Sequence, residues 1–163
     1  MHESVQGRPK LFLTFAGVDL ALARPVVAQL RNAGGGLTLD WAVSSEPFST
    51  QRSDLIRASL AQRLKRCAAT VCLFSAATLE DDWVRWTLAT AQRLRHPLLG
   101  APFAGAASED VAELLASIGA EIVPLRGEAI ARRLTHRPTL PRAERLTPDD
   151  LVAALWMMRH PLR

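Results

Sequence analysis

"CAATVCLF", Cys67 to Phe74, is the stretch whose reading decides the fold. It is almost continuously apolar, too short for an ordinary buried helix and the right length for a strand covered on both faces. Helical patterns stand on either side of it. From about Ser53 to Arg66, Leu55, Ile56, Leu60 and Leu64 lie near one helix face and arginines occupy the other. From about Asp82 to Leu94 a second helix follows a polar loop.

The same alternation extends in both directions. "KLFLTF" (Lys10 to Phe15) reads as the first strand, and Asp19 can cap the helix after it. That helix carries Leu20, Val27 and Leu30 and ends at "NAGGG". Pro25 fits it only if placed in the first turn, where a missing N–H matters little. "LTLDWAV" (Leu37 to Val43) is the second strand, "HPLLGAPF" the fourth and "EIVPL" the fifth. "SEDVAELLASIGA" is a helix with Ser108 as N-cap, and Gly127 to Leu134 forms a short helix. "TPDDLVAALWMMR" is a terminal helix capped by Thr147, and its stripe of Leu151, Leu155 and Met158 should pack on the domain body. Strands alternating with helices in this way predict an α/β domain with a mainly parallel sheet of about five strands and helices on both faces. Val71, Leu73 and Phe74 belong to its central strand.

The bulk properties agree. A chain of 163 residues, 48% hydrophobic and 22% charged, is the size and composition of one ordinary globular domain. No apolar run approaches the roughly 18 residues of a membrane span, and the N-terminal "MHESVQGRPK" has no signal-like core. Cys67 and Cys72 match no metal-ligand spacing and read as buried thiols, with a cytoplasmic location as the default. Residues 126–163 hold eight arginines against four acids, which accounts for the net charge of +4. With only Trp156 among those arginines, no base-stacking platform is visible and nucleic acid is a distant option.

In an open parallel sheet, ligands bind beyond the C-terminal strand ends. Here those ends are "TFAGVD", "DWAVSSEPF", "FSAATLEDDW" and "GAPFAG", rich in hydroxyls, aromatics and small residues. There is no phosphate-binding glycine loop, no HExxH and no Cys/His cluster, so no metal site is expected. None of His2, His96, His136 and His160 pairs with a nucleophile in the sequence. Asp81 and Asp82 stand at a helix start and read as capping and dipole-compensating residues.

From Lys10 to about Gly105 the chain resembles the TIR-like family, in particular the bacterial branch containing the TIR-like subunit of Thoeris antiphage systems. The resemblance rests on "LFLTF" leading to Asp19, on the polar loop after the second strand, and on "CAATVCLFS", "WVRWTLATA" and "HPLLG" in that order. It implies a flavodoxin-like three-layer sandwich, with 1–163 as a single TIR-like domain. The core would span 10–125, and 126–163 would be a basic C-terminal extension with the terminal helix.

Active relatives cleave the nicotinamide–ribose bond of NAD, and their key glutamate lies four residues after the first tryptophan. Here that position is Thr87. A threonine hydroxyl cannot stabilise an oxocarbenium-like centre electrostatically. Ala16 is a second departure, standing where relatives often carry a hydroxyl or aromatic pair. Asp82 lies about 140° around the helix from Thr87, and Glu80 precedes the helix. Glu46, in the loop after the second strand, is the freer substitute.

The resemblance therefore implies a ligand site of Phe15, Ala16, Asp19, Asp40, Trp41, Ser45, Trp83, Trp86 and Thr87. Trp83 and Trp86 serve equally well as core. The leading reading is a signalling or defence pseudoenzyme, acting by nucleotide binding or by association with itself, another TIR-like protein or an effector. The alternative is an active NAD nucleosidase or cyclase using Glu46. Nucleoside deoxyribosyl transfer is weaker still, since it too needs a carboxylate. No cofactor is implied; NAD enters as substrate or ligand, and no membrane partner is expected.

Overall fold

The computed structural model describes residues 10–32, 38–42 and 51–135. Ser45, Glu46, the arginines beyond 135 and the terminal-helix stripe lie outside them. In chain order the elements are β1 (Lys10–Thr14), α1 (Leu20–Asn32), β2 (Thr38–Trp41), α2 (Gln51–Lys65), β3 (Ala69–Phe74), α3 (Asp82–Arg93), β4 (Leu98–Pro102), α4 (Glu109–Ser117), β5 (Glu121–Ile122) and α5 (Gly127–Thr135). Short 3₁₀ turns at Gly17–Asp19 and Thr78–Glu80 follow β1 and β3.

The five strands form one parallel sheet in the order β2-β1-β3-β4-β5. Every residue of central β3 is buried, which is why its sequence is apolar throughout instead of alternating. Strand parity divides the core. Leu11, Leu13, Val71, Leu73, Leu99 and Ala101 pack with Ala23, Val27 and Leu30 of α1 and Ile130 of α5. Cys72 and Phe74 face Val84 and Leu88 of α3 and Leu114 and Leu115 of α4. Phe12 faces Leu60 and Leu64 of α2. Thus α1 and α5 cover one face while α2, α3 and α4 cover the other, giving three layers and the flavodoxin-like strand order. Ile130, within the stretch expected to be extension, is fully buried in this core.

Two local expectations give way. Pro25 is the sixth residue of α1 and lies beyond its first turn. The ring therefore removes one helical N–H bond, and the buried row Ala23, Val27 and Leu30 holds the helix despite that loss. Leu55, expected on the buried face of α2, is 75% exposed. It sits near the start of the helix, ahead of the point where Leu60 and Leu64 meet Phe12.

Candidate functional site

The chain passes from β1 outward to β2 and then returns to place β3 on the other side of β1. This reversal leaves a crevice at the C-terminal ends of β1 and β3, because the following segments leave in opposite directions. Two aspartates stitch the loops that flank it. Asp19, buried in the turn after β1, accepts a 2.6 Å hydrogen bond from the Ser75 hydroxyl just after β3. Asp81 is the N-cap of α3: its Oδ1 accepts from the backbone N–H of Trp83 at 2.9 Å and of Val84 at 3.2 Å. Its Oδ2 reaches across to accept from the Gly17 N–H at 2.9 Å.

A cavity of about 380 Å³ opens beside these stitches, on the face of the sheet covered by α2 and α3. Phe12 and Thr14 of β1, with Phe15 and Gly17 after it, line one side. Leu55, Ile56, Ser59, Leu60 and Arg63 contribute the α2 wall, and Asp81, Trp83, Val84 and Thr87 the α3 wall. Leu55 and Val18, the neighbour of Gly17, are exposed apolar side chains, at 75% and 80%.

Of the expected site residues, Phe15, Trp83 and Thr87 come together in this lining. Thr87 is buried, and its hydroxyl donates a 2.8 Å hydrogen bond to the Trp83 carbonyl. With its proton used in its own helix, the oxygen is left as a neutral acceptor. Trp86 packs beside Phe12, Leu60 and Leu64 as core and is not part of the lining. Ala16 is buried under the turn it begins. Trp41 belongs to the opposite layer, its ring tilted against Phe15 with centroids 5.7 Å apart. Asp19 is occupied by Ser75 and does not line the cavity.

Asp40 is in register with Phe12 and so projects toward α2. There it forms a two-point ion pair with Arg63, whose Nη2 also donates to the Trp41 carbonyl at 2.9 Å. Arg63, and not Asp40, lines the cavity. Burial pushes the Asp40 carboxyl up, but the hydrogen bond and charge of Arg63 outweigh it and hold it below its ordinary value.

The cavity also holds residues that the sequence did not assign to a ligand site: Phe12, Thr14, Gly17, Ser59, Arg63 and Asp81. Strand parity was the available signal for Phe12 and Thr14. For Ser59 and Arg63 it was their one-turn spacing beside Leu55 and Ile56. Asp81 reads correctly as a cap, yet the same carboxylate also faces the cavity. Asp82 forms an ion pair with Arg85 one turn on. Among the described residues, no group of three His, Cys, Asp or Glu side chains is placed to hold a metal ion.

The family model for "Thoeris protein ThsB, TIR-like domain" matches residues 24–108, just over half of the chain. The chain belongs to this TIR-like family. The matched span runs from within α1 to the start of α4 and takes in both helical walls of the cavity. Among solved structures, the chain is similar to the CMP N-glycosidase BcmB of Clostridium botulinum, with a TM-score of 0.48 and 9% identity over 78% of this chain and 99% of that one. A likeness that loose speaks to neither chemistry nor substrate. No curated protein matches the chain. No helix among the described residues is long and apolar enough to cross a membrane.

Proposed function

We propose that this chain is a TIR-like module of Thoeris antiphage defence that holds a nucleotide in the cavity between α2 and α3 without cleaving it at the rate of active relatives. One observation carries the reading: Thr87, the position to which the sequence resemblance assigns the glutamate of active relatives, lines the cavity. Its neutral hydroxyl is spent on the Trp83 carbonyl. The carboxylate in the described lining, Asp81, is engaged by three backbone N–H groups. Two of these N–H groups belong to the start of α3 and one to the turn after β1, and together they hold the carboxylate in a capping role. Removing such a transition-state contact costs roughly 10²–10³ in rate. The module then acts by ligand-dependent association with a further copy, another TIR-like protein or an effector.

The test is to incubate purified protein with NAD, following free nicotinamide by chromatography and binding by thermal shift. Stabilisation by nucleotide without nicotinamide release supports the reading. A second reading has a specific basis: in the sequence Glu46 falls between Ala42 and α2, and both of these flank the cavity. If the wild type turns NAD over robustly and Glu46→Gln abolishes it, the protein is an active nucleosidase and the pseudoenzyme reading is wrong.

A further inference from the structure

Two charged side chains line the cavity among the described residues, Asp81 from the start of α3 and Arg63 from α2. Among the described residues, each is held in place by bonds that leave part of its hydrogen-bonding capacity unused. A carboxylate has about four acceptor positions. The N–H groups of Trp83, Val84 and Gly17 take three on Asp81, two on Oδ1 and one on Oδ2. The position left is on Oδ2.

Arg63 gives Nε and Nη2 to Asp40 and the Trp41 carbonyl. Its Nη1, with two N–H donors, has no partner among the described residues. The cavity thus presents an anionic acceptor on one wall and a cationic donor on another, with apolar Phe12, Leu60 and Trp83 also in the lining. Both groups are fixed before any ligand arrives, so little ordering is required of the protein on binding.

We infer that Oδ2 of Asp81 accepts a hydrogen bond from a ligand hydroxyl while Nη1 of Arg63 takes an anionic oxygen, so that the cavity selects ribonucleotides over nucleotides lacking ribose hydroxyls. The polarity follows from the charges. A phosphate beside Asp81 is repelled, whereas a hydroxyl can donate to it; at Arg63 the anion is the better partner. This rests on reading the cavity as a nucleotide site.

The experiment is calorimetric titration of the full chain with adenosine monophosphate and with its 2′,3′-dideoxy analogue. Wild type should prefer the hydroxylated ligand by about tenfold, the order expected for a hydrogen bond to a charged group. Asp81→Ser keeps a good N-cap but removes the acceptor, so its preference should fall to about one. Asp81→Asn, which puts an amide in place of Oδ2, should do the same and serves if the serine variant does not fold. Ser75→Ala loosens the neighbouring stitch without touching the cavity and should leave the preference intact. Arg63→Met should weaken both ligands alike.

Equal binding of the two ligands by wild type, or a tenfold preference surviving in both Asp81 variants, overturns the inference while leaving the nucleotide reading in place. Binding of neither ligand by wild type means that the nucleotide reading itself has failed, and the inference falls with it.

Discussion

The carboxylate of Asp81 and the backbone N–H of Gly17, 64 positions apart in the chain, meet at 2.9 Å across the point where the strand order of the sheet reverses. The same side chain caps α3. One residue therefore sets both where that helix begins and how closely the loop after β1 approaches it. Asp81→Ala strips acceptors from three N–H groups, and loss of a cap alone costs about 0.5–2 kcal/mol. We predict a loss of roughly 1–3 kcal/mol in denaturant unfolding, with Asp81→Ser less affected. An alanine variant as stable as wild type would show that water replaces these bonds without cost.

The Asp40–Arg63 pair makes stability depend on pH in a definite direction. The folded-state carboxyl titrates below its ordinary value. Its contribution is thus fully present above the unfolded carboxylate pKa and is lost as pH falls through the lower, folded one. Melting curves between neutral pH and the acid range should show Asp40→Asn losing less stability on acidification than wild type. Parallel curves for the two proteins would contradict this.

Two helices end in the same way with different residues. In α4, Gly119 takes a φ of +89°, its N–H bonding to Ala116 and that of Ala120 to Leu115. In α3, Arg95 takes a φ of +61°, its N–H bonding to Gln92 and that of His96 to Ala91. The geometry is the Schellman closure in both, but Arg95 carries a Cβ into the left-handed region. We predict that Arg95→Gly raises stability by up to about 1 kcal/mol. A stability loss of that size on the same change would mean that the arginine side chain makes a contact outweighing the backbone strain.

The thiols should be inert in the folded protein. Burial is the main cause in each case, pushing Cys67 up to about 11 and Cys72 up to about 12. Thiolate is the reactive form. Iodoacetamide at mildly alkaline pH should therefore label both only after denaturation, as read by intact mass. Rapid labelling of the native protein would contradict their placement.

The sequence carried the layout better than it carried the cavity. Buried β3 was legible because a strand covered on both faces must be apolar throughout. The N-cap Ser108 was legible because it is local, its hydroxyl accepting from the Val111 N–H three residues on. The cavity depends instead on which face each strand residue takes and on which loops meet. Asp40 points to Arg63 because β2 pairs with β1 in the register that sets Asp40 beside Phe12. No periodicity within a four-residue strand encodes that. Asp19 and Asp81 looked alike as helix-start residues. Only the reversal of strand order brings one to Ser75 and the other to Gly17. Thr87 accompanies Trp83 in the lining because its position follows from Trp83 by helical spacing alone.

The most direct measurement is nicotinamide release from NAD by wild type and Thr87→Glu, compared at equal concentration after both are shown to be folded. The substitution puts a carboxylate at the cavity position now held by a buried, neutral hydroxyl. We predict no release by wild type above the buffer rate, and release by Thr87→Glu at least tenfold faster than wild type. Wild-type turnover that matches or exceeds that of Thr87→Glu would contradict the account.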